Sequence, residues 1–150
     1  LKPYGPGHFI DGLTMVGNVF RAIRGDIDRV EHVDTSLAEL DYDRMRNIVV
    51  KGNMFNSVEQ GVTNPVVIQH NQTTPAATWE IDAAGLLAFG GNARNVDALV
   101  MRSRIKDGAD VTRYEMPYAF TAQGANRDKV HLGWPEPMSG KVSATVRMDN

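Results

Sequence analysis

Sugars present apolar C–H faces that stack on aromatic rings, and hydroxyls that seek carboxylates, amides and guanidinium groups. Several residues of this 150-residue chain suit that chemistry. Trp79 and Trp134 are its two tryptophans, and Tyr114, Tyr118 and Phe120 join them. Trp79 has Glu80 and Asp82 beside it in sequence, inside a predicted strand, where an indole is normally core. Trp134 is flanked by His131, Pro135 and Glu136 on a predicted loop, so it is expected to be the more exposed of the two. Arg102, Arg104 and Arg113 offer bidentate donors to carboxylates or acidic sugars. The candidate carbohydrate-contact set is therefore Trp134, Tyr114, Tyr118, Arg102, Arg104, His131 and Glu136.

Other constellations carry less. Asp26-x-Asp28 and Asp41-x-Asp43 place alternating carboxylates that could gather oxygen ligands for Ca²⁺. Neither pair has EF-hand spacing, and charge-rich segments of this kind are normally solvated surface. Asp26, Asp28, Asp41 and Asp43 are the weak metal candidates, and no metal is expected. Such carboxylates could also form a glycosidase pair, but that depends on a separation that spacing along the chain does not set. No catalytic residue is assigned. His8, His32, His70 and His131 show no His-x-x-x-His spacing. There is no Gly-x-Ser-x-Gly elbow. Gly85, Gly90 and Gly91 form neither a dinucleotide fingerprint nor a Walker loop, so no cofactor is expected.

Composition narrows the classes further. The chain is 42% hydrophobic and 23% charged, with net charge −2 and no cysteine. Ordinary apolar content and low net charge argue against disorder. Disulfides and thiol chemistry are excluded. No apolar run approaches the length of a membrane helix. A pI near 6.1 leaves no electrostatic footprint for nucleic acid. A chain opening on Leu1 without a signal-peptide pattern reads as a processed product or a piece of something longer.

The elements that must position these residues begin with a repeat. Residues 12–23 align without gaps on residues 47–58, at an offset of 35. Gly17/Gly52, Asn18/Asn53 and Phe20/Phe55 are identical, and Leu13/Ile48, Met15/Val50, Val19/Met54 and Ile23/Val58 stay apolar. Each copy reads as strand, Gly-Asn turn, strand. Leu13, Met15, Ile48 and Val50 are the inward positions. Two such units must stack on neighbours to bury their faces.

Between the copies, residues 25–44 are acid-rich. Ile27, Val30, Val33, Leu37 and Leu40 recur at helical steps. Ser36 and Glu39 have capping-box spacing, so a short helix is expected within 30–44. The stripe Val30, Val33, Leu37 and Leu40 has heptad spacing and is expected to pack on its own domain or on a symmetry mate.

Composition shifts near Gly61. Strands are predicted at 66–70, 78–82, 86–89, 98–105, 112–118, 130–133 and 141–148. The breakers include 71–75 and 135–140, and Asp107-Gly108 is a hairpin signal. Short strands with regular turn signals argue for an antiparallel sandwich or barrel. The chain is mainly β, with a repeat segment over 1–61 and a β-sandwich module over 62–150.

The repeated apolar-x-apolar-x-Gly-Asn-x-Phe segments resemble coils of a right-handed parallel β-helix of the pectate-lyase-like superfamily. In that family an Asn often sits at the turn between two short sheets, as Asn18 and Asn53 would. A β-helix ending in a small β-sandwich resembles the distal part of a phage-type tailspike, tail fibre or head spike. The resemblance implies a homotrimer on a virion or phage-like particle, extracellular, that recognises cell-surface polysaccharide, without nucleic-acid binding or membrane insertion. Two other readings stand beside it: a fragment of a polysaccharide lyase or glycoside hydrolase, and a trimerisation cap that binds no ligand.

Overall fold

The structure is a computed structural model that describes residues 1–7 and 9–150; His8, one of the histidines considered above, lies outside the described residues. The chain is mainly β. Among the described residues there is no α-helix, only two short 3-10 turns at Tyr42–Arg44 and Ala88–Gly90. No helix there is long and apolar enough to cross a membrane.

The repeat folds as two stacked layers. Strands β1 (Asp11–Val16) and β2 (Val19–Arg21) come from the first copy. Strands β3 (Arg46–Lys51) and β4 (Met54–Asn56) come from the second. β1 lies parallel to β3 and β2 parallel to β4. Leu13 faces Ile48, Met15 faces Val50 and Phe20 faces Phe55, so the register is the sequence offset itself. Gly17 and Gly52 have φ of 69° and 64°, a region costly for residues with a Cβ, so both layers turn the same corner. The Phe20 and Phe55 rings stack with centroids 5.5 Å apart. Ile48 and Val50 are fully buried, while Leu13 and Met15 pack on them half-buried.

The segment between the copies does not form the expected helix. Asp34 and Asp41 explain why. The Asp34 carboxylate accepts from the Ser36 amide at 3.0 Å, and Asp41 accepts from the Asp43 amide at 3.1 Å. These local turns take amides that a helix would need. Only the 3-10 turn Tyr42–Arg44 remains. The apolar stripe likewise fails to make one face, because Leu40 is buried and Leu37 is exposed.

The second half forms a six-stranded antiparallel sheet around two long strands, β5 (Val66–Asp82) and β10 (Lys129–Arg147). Each runs through a predicted breaker. The pairing slips between Gly133, Met138 and Gly140, and Pro75, Pro135 and Pro137 sit in the slipped region. Prolines lacking an amide donor are tolerated at such bulges, so the strands bend there instead of ending. The other side of β10 pairs in turn with β9 (Tyr118–Gln123), β7 (Ile105–Asp107) and β6 (Asn95–Met101). β7 forms a hairpin with β8 (Thr112–Arg113), where Asp107-Gly108 predicted one. Three strand expectations change. Residues 86–89 turn through Ala88–Gly90, 98–105 divides into β6 and β7, and 112–118 pairs only at its two ends.

One apolar core joins the two halves. It runs from Leu40, Met45, Ile48 and Val50 to Val66, Trp79, Leu132, Val146 and Met148. Asn64 and Asp149 stitch the seam. The Asn64 amide donates to the Ile48 carbonyl at 2.7 Å and to Asp149 at 2.8 Å, and accepts from the Met148 amide at 2.9 Å. Asp149 also accepts from the Ile48 amide at 2.7 Å and pairs with Arg147 at 3.0 Å.

Candidate functional site

The β7–β8 hairpin and the segments flanking it enclose an open groove of about 600 Å³. One wall is 101–105, from the end of β6 into β7; the other is 112–116, from β8 into the following loop. Ile105, buried, and Met101 give it an apolar base. Arg102, Arg104 and Tyr114 line it, so three of the sequence-derived candidates converge. Tyr114 is 91% exposed, so its ring is available for stacking.

The hairpin that sets this geometry is held by Asp107. Its carboxylate accepts from the Ala109 and Val111 amides at 2.9 and 3.0 Å, and binds Arg113 at 2.8 Å. The Val111 amide, the Ala109 amide and Arg113 together hold the Asp107 carboxyl below its ordinary range, against the opposing effect of desolvation. Asp107 in turn raises Arg113, helped by Glu136, whose carboxylate lies 3.3 Å from the Arg113 Nε. Arg113 is therefore neutralised by two carboxylates, while Arg102 and Arg104 make no ion pair among the described residues.

Close packing behind the groove rests on Gly140. Its φ is 150°, and a Cβ there would lie 2.6 Å from the Ile105 Cδ1 and 3.3 Å from the Ser103 Oγ. The Ser103 hydroxyl accepts from the Lys141 amide at 2.9 Å, and the Arg102 amide donates to the Lys141 carbonyl at 2.7 Å. These contacts clip the wall bearing the two arginines onto β10.

The remaining candidates are dispersed. Trp134 is not the exposed indole expected. It lies within β10, not on a loop, and is only 6% exposed, with its ring 4.8 Å from that of Trp79. Val130, Leu132 and Trp134 alternate inward along β10, a period-two signal already present in the sequence. Trp79 is core, as expected, and its Nε1 donates to the Ala76 and Met138 carbonyls at 3.0 and 3.1 Å. The Trp134 Nε1 is buried without a partner. His131 sits 3.5 Å from Glu80, which Lys129 holds at 2.6 Å and keeps below the ordinary carboxylate range. Tyr118 is exposed on β9 beside Phe120, their centroids 5.9 Å apart. Glu136 reaches the groove only through Arg113.

Asp26 and Asp28 are exposed, Asp41 caps a turn, and Asp43 pairs with Arg127 at 3.2 Å. Among the described residues no three His, Asp or Glu side chains gather as a metal site.

Sequence reasoning missed a second depression, of about 470 Å³, lined by Gln69, His70, Asn71, Arg102, Lys141 and Val142. It shares Arg102 with the first. Long-range pairing assembles it, because Asn71 faces Lys141 and Val142 faces Met101. No local motif signals it.

No protein-family model, curated protein or solved structure matches this chain.

Proposed function

We propose that this chain is the receptor-binding or structural module of a phage-like spike or fibre, a homotrimer that recognises cell-surface polysaccharide at a virion or extracellular surface. The observation that carries the reading is the groove gathering Arg102, Arg104 and Tyr114. An exposed aromatic face beside free bidentate donors, over an apolar base, is the arrangement a sugar ring with polar substituents requires. In this reading the parallel layers are coils of a right-handed β-helix and the antiparallel sheet is the terminal module.

Self-association has its own support. β5 is an edge strand, paired on one side by β10. Its residues 66–79 include no Asp, Glu, Lys or Arg. Edge strands that must stay single usually carry such charges, prolines or bulges, so it is the uncharged stretch ahead of the Pro75 bulge, residues 66–74, that favours pairing with another chain. Closed homo-oligomers are the usual outcome. Three weak sugar sites then act together through effective concentration.

Light scattering behind size exclusion tests the assembly. A mass near three times 16.5 kDa is expected, and a monomer overturns the trimer. A glycan array tests recognition, with Tyr114→Ala expected to weaken the signal while the mass is kept. Turnover of a bound polysaccharide would instead favour the lyase or hydrolase reading.

A further inference from the structure

Resting on that glycan reading, we infer that the ligand is an acidic polysaccharide, whose carboxylates lie along a track of three cations, Lys141, Arg102 and Arg104. The two depressions share one lining residue, Arg102, which places them side by side on the sheet. Asn71, Lys141 and Arg102 come from three adjacent strands or their ends. Asn71 pairs with Lys141 across β5 and β10, and the Arg102 amide bonds the Lys141 carbonyl at 2.7 Å. Arg104 follows two residues on, along the wall of the larger groove.

Within the second half, charge distribution sets these three cations apart. Most arginines and lysines of the second half are already paired: Arg94 and Arg127 with Asp43, Lys106 with Asp110, Arg113 with Asp107, Lys129 with Glu80, Arg147 with Asp149. Among the described residues, Lys141, Arg102 and Arg104 have neither an ion pair nor a side-chain hydrogen bond, and all three are exposed. Cations with no carboxylate partner of their own are available to an anion that reaches the two depressions. Around them stand the Gln69 and Asn71 amides, neutral groups suited to hydroxyls. The one carboxylate on the groove wall, Glu115, accepts from the Tyr114 amide at 2.9 Å. A nucleic acid is disfavoured. Its affinity comes from neutralising many phosphates, and this chain has net charge −2 and only three free cations here.

The experiment is a binding titration of the chain against oligomers of galacturonate, glucuronate-containing hyaluronan, mannuronate and N-acetylneuraminate. Each is paired with its carboxyl-methylated form, which keeps the ring and removes the charge. At least one acidic oligomer is expected to bind, with affinity falling as salt rises. Its methyl ester should bind at least tenfold more weakly. Arg102→Ala, Arg104→Ala and Lys141→Ala should each weaken the acidic form roughly tenfold, the size of a lost charged hydrogen bond. Tyr114→Ala should weaken acid and ester alike. All four positions are exposed, and an unchanged urea midpoint checks that each variant folds. Equal binding of acid and ester overturns the acidic-ligand inference and leaves the glycan reading standing. Binding of neither, on any oligomer, overturns both. Tighter binding of single-stranded DNA than of any oligomer overturns the assignment to saccharide.

Discussion

The Asn53 carboxamide oxygen accepts two hydrogen bonds from Asn18, one from its main-chain amide at 2.9 Å and one from its side chain at 3.1 Å. The same Asn53 side chain donates to the Met15 carbonyl at 2.9 Å. The two residues are equivalent in the repeat but not in their work, because Asn53 holds the layer beside it through three bonds and Asn18 contributes its side chain to one. Asn53→Ala is therefore expected to cost about 1–2 kcal/mol, and Asn18→Ala less than half of that. Urea midpoints of the two variants measure the difference. Equal losses would mean that the ladder is not what these side chains stabilise.

Asp149 contributes to the response to acid, alongside Asp107, Glu80 and Asp34. Burial opposes its charge, yet Arg147, the Ile48 amide and the Asn64 side chain together hold its carboxyl below the ordinary range. A carboxylate with a folded pKa below its unfolded one contributes stability above the unfolded value. That contribution fades as pH falls from about 4 through the folded pKa. Asp149→Asn should lower stability at neutral pH by roughly 3 kcal/mol, since Arg147 loses a buried partner. It should also make the loss of stability below about pH 5 less steep, with the part due to Asp107, Glu80 and Asp34 remaining. A variant whose stability falls with acid as steeply as the parent's would show that another group is responsible.

Trp134 separates packing from polarity. Trp134→Ala removes a ring buried against Trp79 and is expected to cost about 3–5 kcal/mol. Trp134→Phe loses some volume but also deletes the buried indole N–H that has no partner. These effects oppose, so the net change should stay within about 1 kcal/mol. Thermal melts of the two variants make the comparison.

Gly140→Ala tests how the groove is held. The new Cβ would press on Ile105 and Ser103, and the φ of 150° disfavours any side chain. A loss of about 1–3 kcal/mol is expected. Amide shifts in an NMR spectrum should concentrate at residues 101–105, while the parallel layers stay unchanged. Uniform shifts throughout the chain would contradict a local clamp.

How much of this was legible in the sequence follows from the range of the contacts. The repeat was readable because parallel stacking puts equivalent residues face to face, so Leu13 meeting Ile48 is visible as an offset. The hairpin at Asp107-Gly108 was readable because its turn is local. The prolines misled, because Pro75, Pro135 and Pro137 sit in a bulge that exists only when β5 and β10 pair. Trp134 misled for the same reason: its flanking prolines outweighed the alternation of Val130, Leu132 and Trp134. Arg102, Arg104 and Tyr114 could be chosen by chemistry alone. Lys141 could not, since it joins them only through strands far apart in the chain.

The 35-residue register of the parallel layers makes length an adjustable property. A further copy spliced in frame would meet Leu13, Met15, Asn18 and Phe20 just as Ile48, Val50, Asn53 and Phe55 now do. Each copy would extend the stack by one strand spacing, about 4.8 Å. The antiparallel sheet and its groove would be carried outward unaltered. The length of the stack and the groove are thus encoded in separate stretches of chain, and one can be lengthened by duplication without redesigning the other.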